Sequence, residues 1–253
     1  MNIENKKDCF AFIIPVYNHA ATVAEVIKDA QALQFPIFVV DDGSTDTSYE
    51  QIKEIAGIQI LRHQQNLGKG AAIMTGFAAA AVVADWAITI DADGQHYPQD
   101  ALRLIEAIPA GRRAIIIGAR EGMAGIEGAH IPWTSRFGRK FSNFWVWAAG
   151  GTILSDSQSG MRLYPLPEAM LLTTKARRFQ FEVEILVMAR RKGLPIIETP
   201  VRVIYNPNGK RISHFRPFVD FLRNSQTFAR LIFTRIFSLR QINKIIRNKL
   251  FNF

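Results

Sequence analysis

Residues 10–44 read FAFIIPVYNHAATVAEVIKDAQALQFPIFVVDDGS, and the fold class follows from this stretch. Phe10 to Val16 is a short apolar run ending just past a proline, and Ile37 to Val40 is another, closed by Asp41-Asp42-Gly43-Ser44. Apolar runs of this length bounded by turn residues are the pattern of buried strands. Between them Val23, Val26, Ile27, Ala30 and Leu33 recur at three- and four-residue spacing, which predicts one apolar helical face over residues 20–33. Strand, helix and strand in succession make a βαβ unit.

The alternation continues outward from this unit. A helix is expected over residues 47–55, a strand over 58–61, a small-residue helix over 69–84 and a strand over 86–90. Such a series implies a mostly parallel sheet covered by helices on both faces, with ligands bound beyond the carboxyl ends of the strands. After Asp91 the pattern is less regular. Helices are expected over 98–108, 134–149 and 180–192, and strands over 114–118 and 196–204, with a glycine-rich loop reaching Gly128. Without internal repeats or low-complexity linkers, residues 1–205 read as one domain and 206–253 as an extension.

Composition narrows the function. The chain has 253 residues, 48% of them hydrophobic, enough for a sizeable core without staples. The single cysteine, Cys9, excludes an intrachain disulfide and a cysteine-based zinc cluster. The polar start, Met1 to Asp8, does not resemble a secretory signal, so a cytoplasmic location is expected. The net charge of +9 is uneven: residues 1–174 hold 14 Lys and Arg against 18 Asp and Glu, whereas 175–253 hold 17 against 4. A basic rear half points to a polyanionic partner: nucleic acid, anionic membrane or a phosphorylated substrate. The longest weakly polar run, Gly70 to Ala84, is too short for a spanning helix, so no transmembrane helix is expected.

Three polar clusters follow predicted strands. Asp91-Ala92-Asp93-Gly94-Gln95-His96 puts two carboxylates one residue apart, where they can converge on a hard divalent cation whose other sites take phosphate oxygens; a solvated turn would look the same. Asp41-Asp42-Gly43-Ser44-Thr45-Asp46 offers a carboxylate to ribose hydroxyls or a base edge, or else caps the next helix. Asn66-Leu67-Gly68-Lys69-Gly70 opens a helix with glycines and a lysine able to meet an anion, without the spacing of a Walker loop.

Taken in order, these clusters resemble the family 2 glycosyltransferases of GT-A fold, within them the branch of dolichol-phosphate mannose synthase and polyprenyl-phosphate glucose synthases. The resemblance spans about Phe10 to Ser213 and includes Pro15-Val16-Tyr17-Asn18, Asp156-Ser157-Gln158-Ser159-Gly160-Met161-Arg162, Phe181-Glu182-Val183-Glu184 and the loop from Tyr205 to Ser213. It implies a Rossmann-like α/β GT-A fold. Pro15, Tyr17, Asn18, Asp42, Lys69, Asp91 and Ala92 would line the nucleotide pocket, and Asp91, Asp93 and Gln95 would hold Mg²⁺ or Mn²⁺ on the donor diphosphate. Arg120, Ser135, Arg136, Arg211 and Ser213 would grip an acceptor phosphate, with Asp93, Arg120 and Asp156 catalytic. His19, Thr47 and Met161 depart from the family pattern, where an acid, a glycine and a phenylalanine are usual.

The implied reaction is in-line attack at the anomeric carbon of a nucleotide sugar, with inversion, by the phosphate of a polyprenyl phosphate or another lipid-linked acceptor. A phosphate monoester, with a second pKa of about 6, needs no general base, whereas a hydroxyl acceptor would. Asp156 is the carboxylate placed to be that base, or else a structural acid pairing with Arg162 or a loop amide. Phe221 to Phe253 holds seven Lys and Arg and no acid. Its Phe228, Ile232, Ile236, Leu239, Ile242, Ile246 and Leu250 form a helical stripe flanked by cations that include Arg230. That stripe suits the cytoplasmic face of an anionic bilayer or a membrane partner protein, or else packs on the catalytic domain. Phe141, Phe144, Trp145 and Trp147 are a second anchor or core. The rival readings are a sugar-phosphate nucleotidyltransferase and a nucleic-acid-binding module; no nucleic-acid partner is expected.

Overall fold

The computed structural model describes residues 8–120, 142–203 and 225–237. Its strands are β1 (Phe10–Val16), β2 (Ile37–Asp41), β3 (Gln59–Arg62), β4 (Trp86–Thr89), β5 (Ile115–Arg120), β6 (Arg162–Pro165) and β7 (Ile196–Val201). Helices α1 (Val23–Gln31), α2 (Ser48–Lys53), α3 (Lys69–Ala80) and α4 (Ala101–Glu106) follow the first four strands in turn. Helix α5 is described over 142–148, α6 spans Phe181–Arg191, and α7 is described over 225–237.

The seven strands form one sheet in the order β3-β2-β1-β4-β6-β5-β7. Neighbouring strands are parallel except that β6 runs antiparallel to both β4 and β5. Strand alternation sorts the core into two layers. Ala11, Ile13, Phe38, Val40, Ala87 and Ile115 face α3, α6 and the aromatic helices α5 and α7; Phe12, Ile14, Val39, Ile88 and Ile116 face α1 and α4. Gly76 lets α3 lie against β1, since a Cβ there would sit 2.4 Å from the Ile13 side chain.

The strand-helix alternation expected from the sequence is present, with shorter helices. Residues 98–100 form a 3-10 turn before α4, and α3 ends at Ala80, four residues early. Strand β6 was not foreseen. Its Arg162 is fully buried, a residue type that argues against a central strand, and it is accommodated by donating to the carbonyls of Ser157, Ser159 and Glu182 at 2.7–2.8 Å and to the Tyr164 hydroxyl at 3.2 Å.

In α7, Phe228 and Leu231 are buried in the core, and the Phe228 ring stacks on Trp145 at 6.1 Å. Arg230, expected to flank the stripe as a surface cation, instead binds the buried Glu184 carboxylate at 2.7 Å. Phe233, Ile236 and Phe237 remain exposed on α7, as do Phe144 and Trp147 on α5. The stripe therefore divides: its first turn is core and its later turns meet solvent. The rest of the stripe, from Leu239 onward, and Phe141 lie outside the described residues.

Candidate functional site

The carboxyl ends of β1, β2, β3 and β4 lie along one edge of the sheet because these strands pair in parallel, and every predicted cluster falls there. The loops after β1 and β2 are stapled together. Asn18 sits in the left-handed region (φ 56°), its amide donates to Ser44 Oγ at 3.0 Å, and its side-chain oxygen accepts from the Thr45 amide at 2.8 Å. Asp42 is buried. Its carboxylate accepts from the Leu67 and Gly68 amides at 2.9 and 2.7 Å and lies 2.7 Å from His63 Nδ1. Asp42 and Asn18, assigned to the nucleotide by the resemblance, thus tie together the loops after β1, β2 and β3. Pro15 is buried within β1, while Tyr17, just past its carboxyl end, is half-buried.

Beyond β4, Asp91 and Asp93 are both half-buried, and the Asp93 carboxylate accepts from the Gln95 amide at 3.0 Å. Thr22 at the head of α1 donates to the Ala92 carbonyl at 2.6 Å, pinning the loop between the carboxylates. Gly160 is packed against Asp91: a Cβ there would meet its carboxylate at 2.2 Å.

Lys69, at the first turn of α3, reaches across to this loop. Its Nζ lies 2.6 Å from Asp91 Oδ1 and 2.5 Å from Glu182 Oε1. Burial alone would lower the lysine pKa, but the two carboxylates outweigh it and hold the ammonium above its ordinary range. For Asp91, burial acts upward and Lys69 more than offsets it, so the carboxyl stays below its usual range. Glu182 belongs to a motif noticed in the sequence, yet its role was invisible there because its partner is 113 residues away.

A second ion pair lies nearby. Arg120, the last residue of β5, grips Asp156 bidentately, Nε to Oδ2 at 2.6 Å and Nη2 to Oδ1 at 2.8 Å. The two residues expected to hold the acceptor phosphate and to act as base thus hold each other; of the two structural partners expected for Asp156, Arg162 binds carbonyls instead, whereas a loop amide, that of Gln158, does donate to its carboxylate at 3.4 Å. Glu198 on β7, unremarked in the sequence, fixes this loop by accepting from the Ser155 and Asp156 amides at 2.8 and 2.9 Å. His96 sits between the pairs and feels the charges of Asp91, Arg120, Asp156 and Lys69; burial, reinforced by the two cations, pushes its pKa to about 4. It is a neutral wall residue at pH 7. Ser135, Arg136, Arg211 and Ser213 lie outside the described residues.

Among the described residues no three His, Cys, Asp or Glu side chains gather as a metal cluster. The Asp91 and Asp93 carboxylates and the side-chain carbonyl of Gln95 are hard oxygen donors, few enough that ligand phosphate oxygens would complete the shell. That donor set fits Mg²⁺ or Mn²⁺.

The family described as Glycosyl transferase family 2 matches residues 11–167. The UDP-N-acetylglucosamine--dolichyl-phosphate N-acetylglucosaminyltransferase of Methanococcus voltae is 32% identical over 213 residues, covering 76% of this chain and 84% of that one. The polyprenol monophosphomannose synthase of Mycolicibacterium smegmatis is 27% identical over 207 residues, covering 75% of each chain. In structure, glucosyl-3-phosphoglycerate synthase from Mycobacterium tuberculosis, solved with Mn²⁺ and UDP-glucose, superposes with a TM-score of 0.65 at 20% identity, covering 90% of this chain and 79% of that one.

Proposed function

Because the chain belongs to glycosyl transferase family 2, we propose that it moves a sugar from a nucleotide-sugar donor to the phosphate of a polyprenyl or dolichyl phosphate, with inversion, at a membrane surface. The chain is a glycosyltransferase, so the nucleotidyltransferase and nucleic-acid-binding readings fall away. The observation that carries the choice of acceptor is the Arg120–Asp156 pair. A carboxylate held by both arms of a guanidinium and almost wholly buried is a poor proton acceptor, so Asp156 does not suit a hydroxyl acceptor that must be deprotonated. A phosphate acceptor is already anionic near pH 7.

In this reading Pro15, Tyr17, Asn18, Asp42, Lys69 and Ala92 shape or line the nucleotide pocket. Asp91, Asp93 and Gln95 would hold Mg²⁺ or Mn²⁺, which when bound supplies positive charge to the departing nucleoside diphosphate. Lys69 holds a second positive charge beside them. An acceptor phosphate oxygen attacks the anomeric carbon in line as the bond to the diphosphate oxygen breaks, and its charge passes to the leaving group, so no proton moves. Arg120 would meet the acceptor with its charge shared with Asp156, which leaves Arg136, Arg211, Ser135 and Ser213 to complete the grip.

No helix among the described residues is long and apolar enough to cross a membrane. Phe144, Trp147, Phe233, Ile236 and Phe237 are exposed on two helices that Arg235 joins by donating to the Ala148 carbonyl at 2.9 Å. We assign this apolar surface, with the cations of the tail, to peripheral contact with the anionic cytoplasmic face of a bilayer. The test incubates the protein with a panel of nucleotide sugars, Mn²⁺ or Mg²⁺, and either polyprenyl phosphate or free polyprenol, and weighs the products. Glycosylation of the phosphate alone is expected; equal rates on the alcohol would restore Asp156 as a base.

A further inference from the structure

The Lys69 ammonium occupies the place where a cation-binding carboxylate would otherwise stand unbalanced. It lies 2.6 Å from Asp91 Oδ1, and its other contact is Glu182 Oε1 at 2.5 Å. The lysine and glutamate side chains are only 14% and 9% exposed, against 27% for Asp91, so the ammonium is held from the protein side and Asp91 from the solvent side. Glu182 is anchored independently. It lies in the first turn of α6, and its own carbonyl accepts from Arg162 at 2.7 Å. Gly68 and Gly70 seat the base of Lys69 against Arg177 and Phe181, which leaves no room for the whole turn to retreat.

We propose that Lys69 is a resident counter-cation for the Asp91 carboxylate and that Glu182 is a positioning residue, the anchor on which the ammonium is retained when a divalent cation takes Asp91. This rests on the metal site of the preceding reading. Two carboxylates share one ammonium, so releasing Asp91 leaves Lys69 paired and buried instead of stranded. The arrangement penalises a bare metal ion, which must compete with the ammonium for Asp91. A metal arriving with a nucleoside diphosphate brings anionic oxygens that the same ammonium can meet. Binding should therefore be strongly cooperative between metal and nucleotide, with coupling that is reciprocal.

The experiment measures Mn²⁺ binding by electron paramagnetic resonance on the full chain, with and without nucleoside diphosphate, independent of turnover. Lys69→Gln should bind Mn²⁺ alone about tenfold more tightly, because a unit charge beside the ligand is removed, and should lose most of the gain that nucleotide confers. Glu182→Gln should bind Mn²⁺ alone several-fold more weakly, since the ammonium then leans on Asp91 only.

The double variant decides whether Glu182 acts through the lysine. If it does, Glu182→Gln has little effect in the Lys69→Gln background; an equal penalty in both backgrounds would mean simple long-range attraction and would overturn the proposal. Unchanged Mn²⁺ affinity in folded Lys69→Gln would overturn it too. Circular dichroism checks folding, and if Lys69→Gln does not fold, Glu182→Gln and the double variant, neither of which leaves an unpaired buried glutamate, carry the test: the double variant should bind Mn²⁺ alone more than about tenfold more tightly than Glu182→Gln, and equal affinities would overturn the proposal. Asp93→Asn separates the levels: if it leaves Mn²⁺ binding intact, the metal site itself was misplaced.

Discussion

Gly160→Ala tests whether Asp91 must stand where it does. The added Cβ would lie 2.2 Å from Asp91 Oδ2 and 2.4 Å from its Cγ. A carbon approaches an oxygen no closer than about 3.3 Å without repulsion, so the carboxylate must move by roughly 1 Å. The moving group is the end of a short side chain that is 27% exposed, so the fold should yield cheaply, at a cost of about 1 kcal/mol or less. Function should not. A displacement of that size at a reacting centre costs about 10²-fold in rate, and it also pulls Asp91 away from Lys69. The assay is steady-state transfer to polyprenyl phosphate alongside a thermal melt and a Mn²⁺ titration. A melt within about 2 °C of the parent with kcat down about 10²-fold is the expected pair of results. Parental kcat would mean that the carboxylate's position is immaterial, and the metal assignment would fall with it.

Asp93→Asn should lower turnover by about 10²-fold or more at nearly unchanged stability, checked by kinetics across a Mn²⁺ series. Arg230→Gln leaves the buried Glu184 with backbone amides only and should cost about 2 kcal/mol, a melting point lower by roughly 6 °C; Glu184→Gln added to it should recover part of the loss. The His96 pKa, about 6.5 unfolded and about 4 folded, means that the unfolded chain takes up a proton in that window and the native chain does not. Stability should therefore be full above pH 6.5 and fall by about 3 kcal/mol towards pH 4 on this account, a slope that His96→Gln should flatten in pH-dependent denaturant melts.

The front of the fold was legible because its strands are continuous apolar runs and its motifs stand directly behind them. Local sequence carries both signals. Asp91 and Asp93 could be placed at a strand end without any knowledge of what faced them. What local reading could not supply was long-range pairing. Strand β6 has four residues and includes an arginine, which is made tolerable by carbonyls of the loop just before it and by that of Glu182, 20 residues further on in α6. Glu182, Glu198 and Thr22 each act on a partner at least 42 residues away, so their positions as bare residues said nothing. The tail stripe stayed open between two readings for a related reason: helical periodicity announces an apolar face but does not say whether protein or lipid covers it.

Glu182 and Glu184 are two residues apart on α6 and so point to nearly opposite sides of that helix, one to Lys69 and the other to Arg230. This fixes where the chain can be cut. A fragment trimmed to the matched region, ending at residue 167, would discard β7, α6 and both glutamates, and would leave Lys69 and Arg162 facing carboxylate and carbonyl partners that no longer exist. The shortest piece worth expressing runs through α7. A chimera that borrows another enzyme's rear segment must bring an arginine to the height of Arg230, or α6 will carry an unbalanced buried acid.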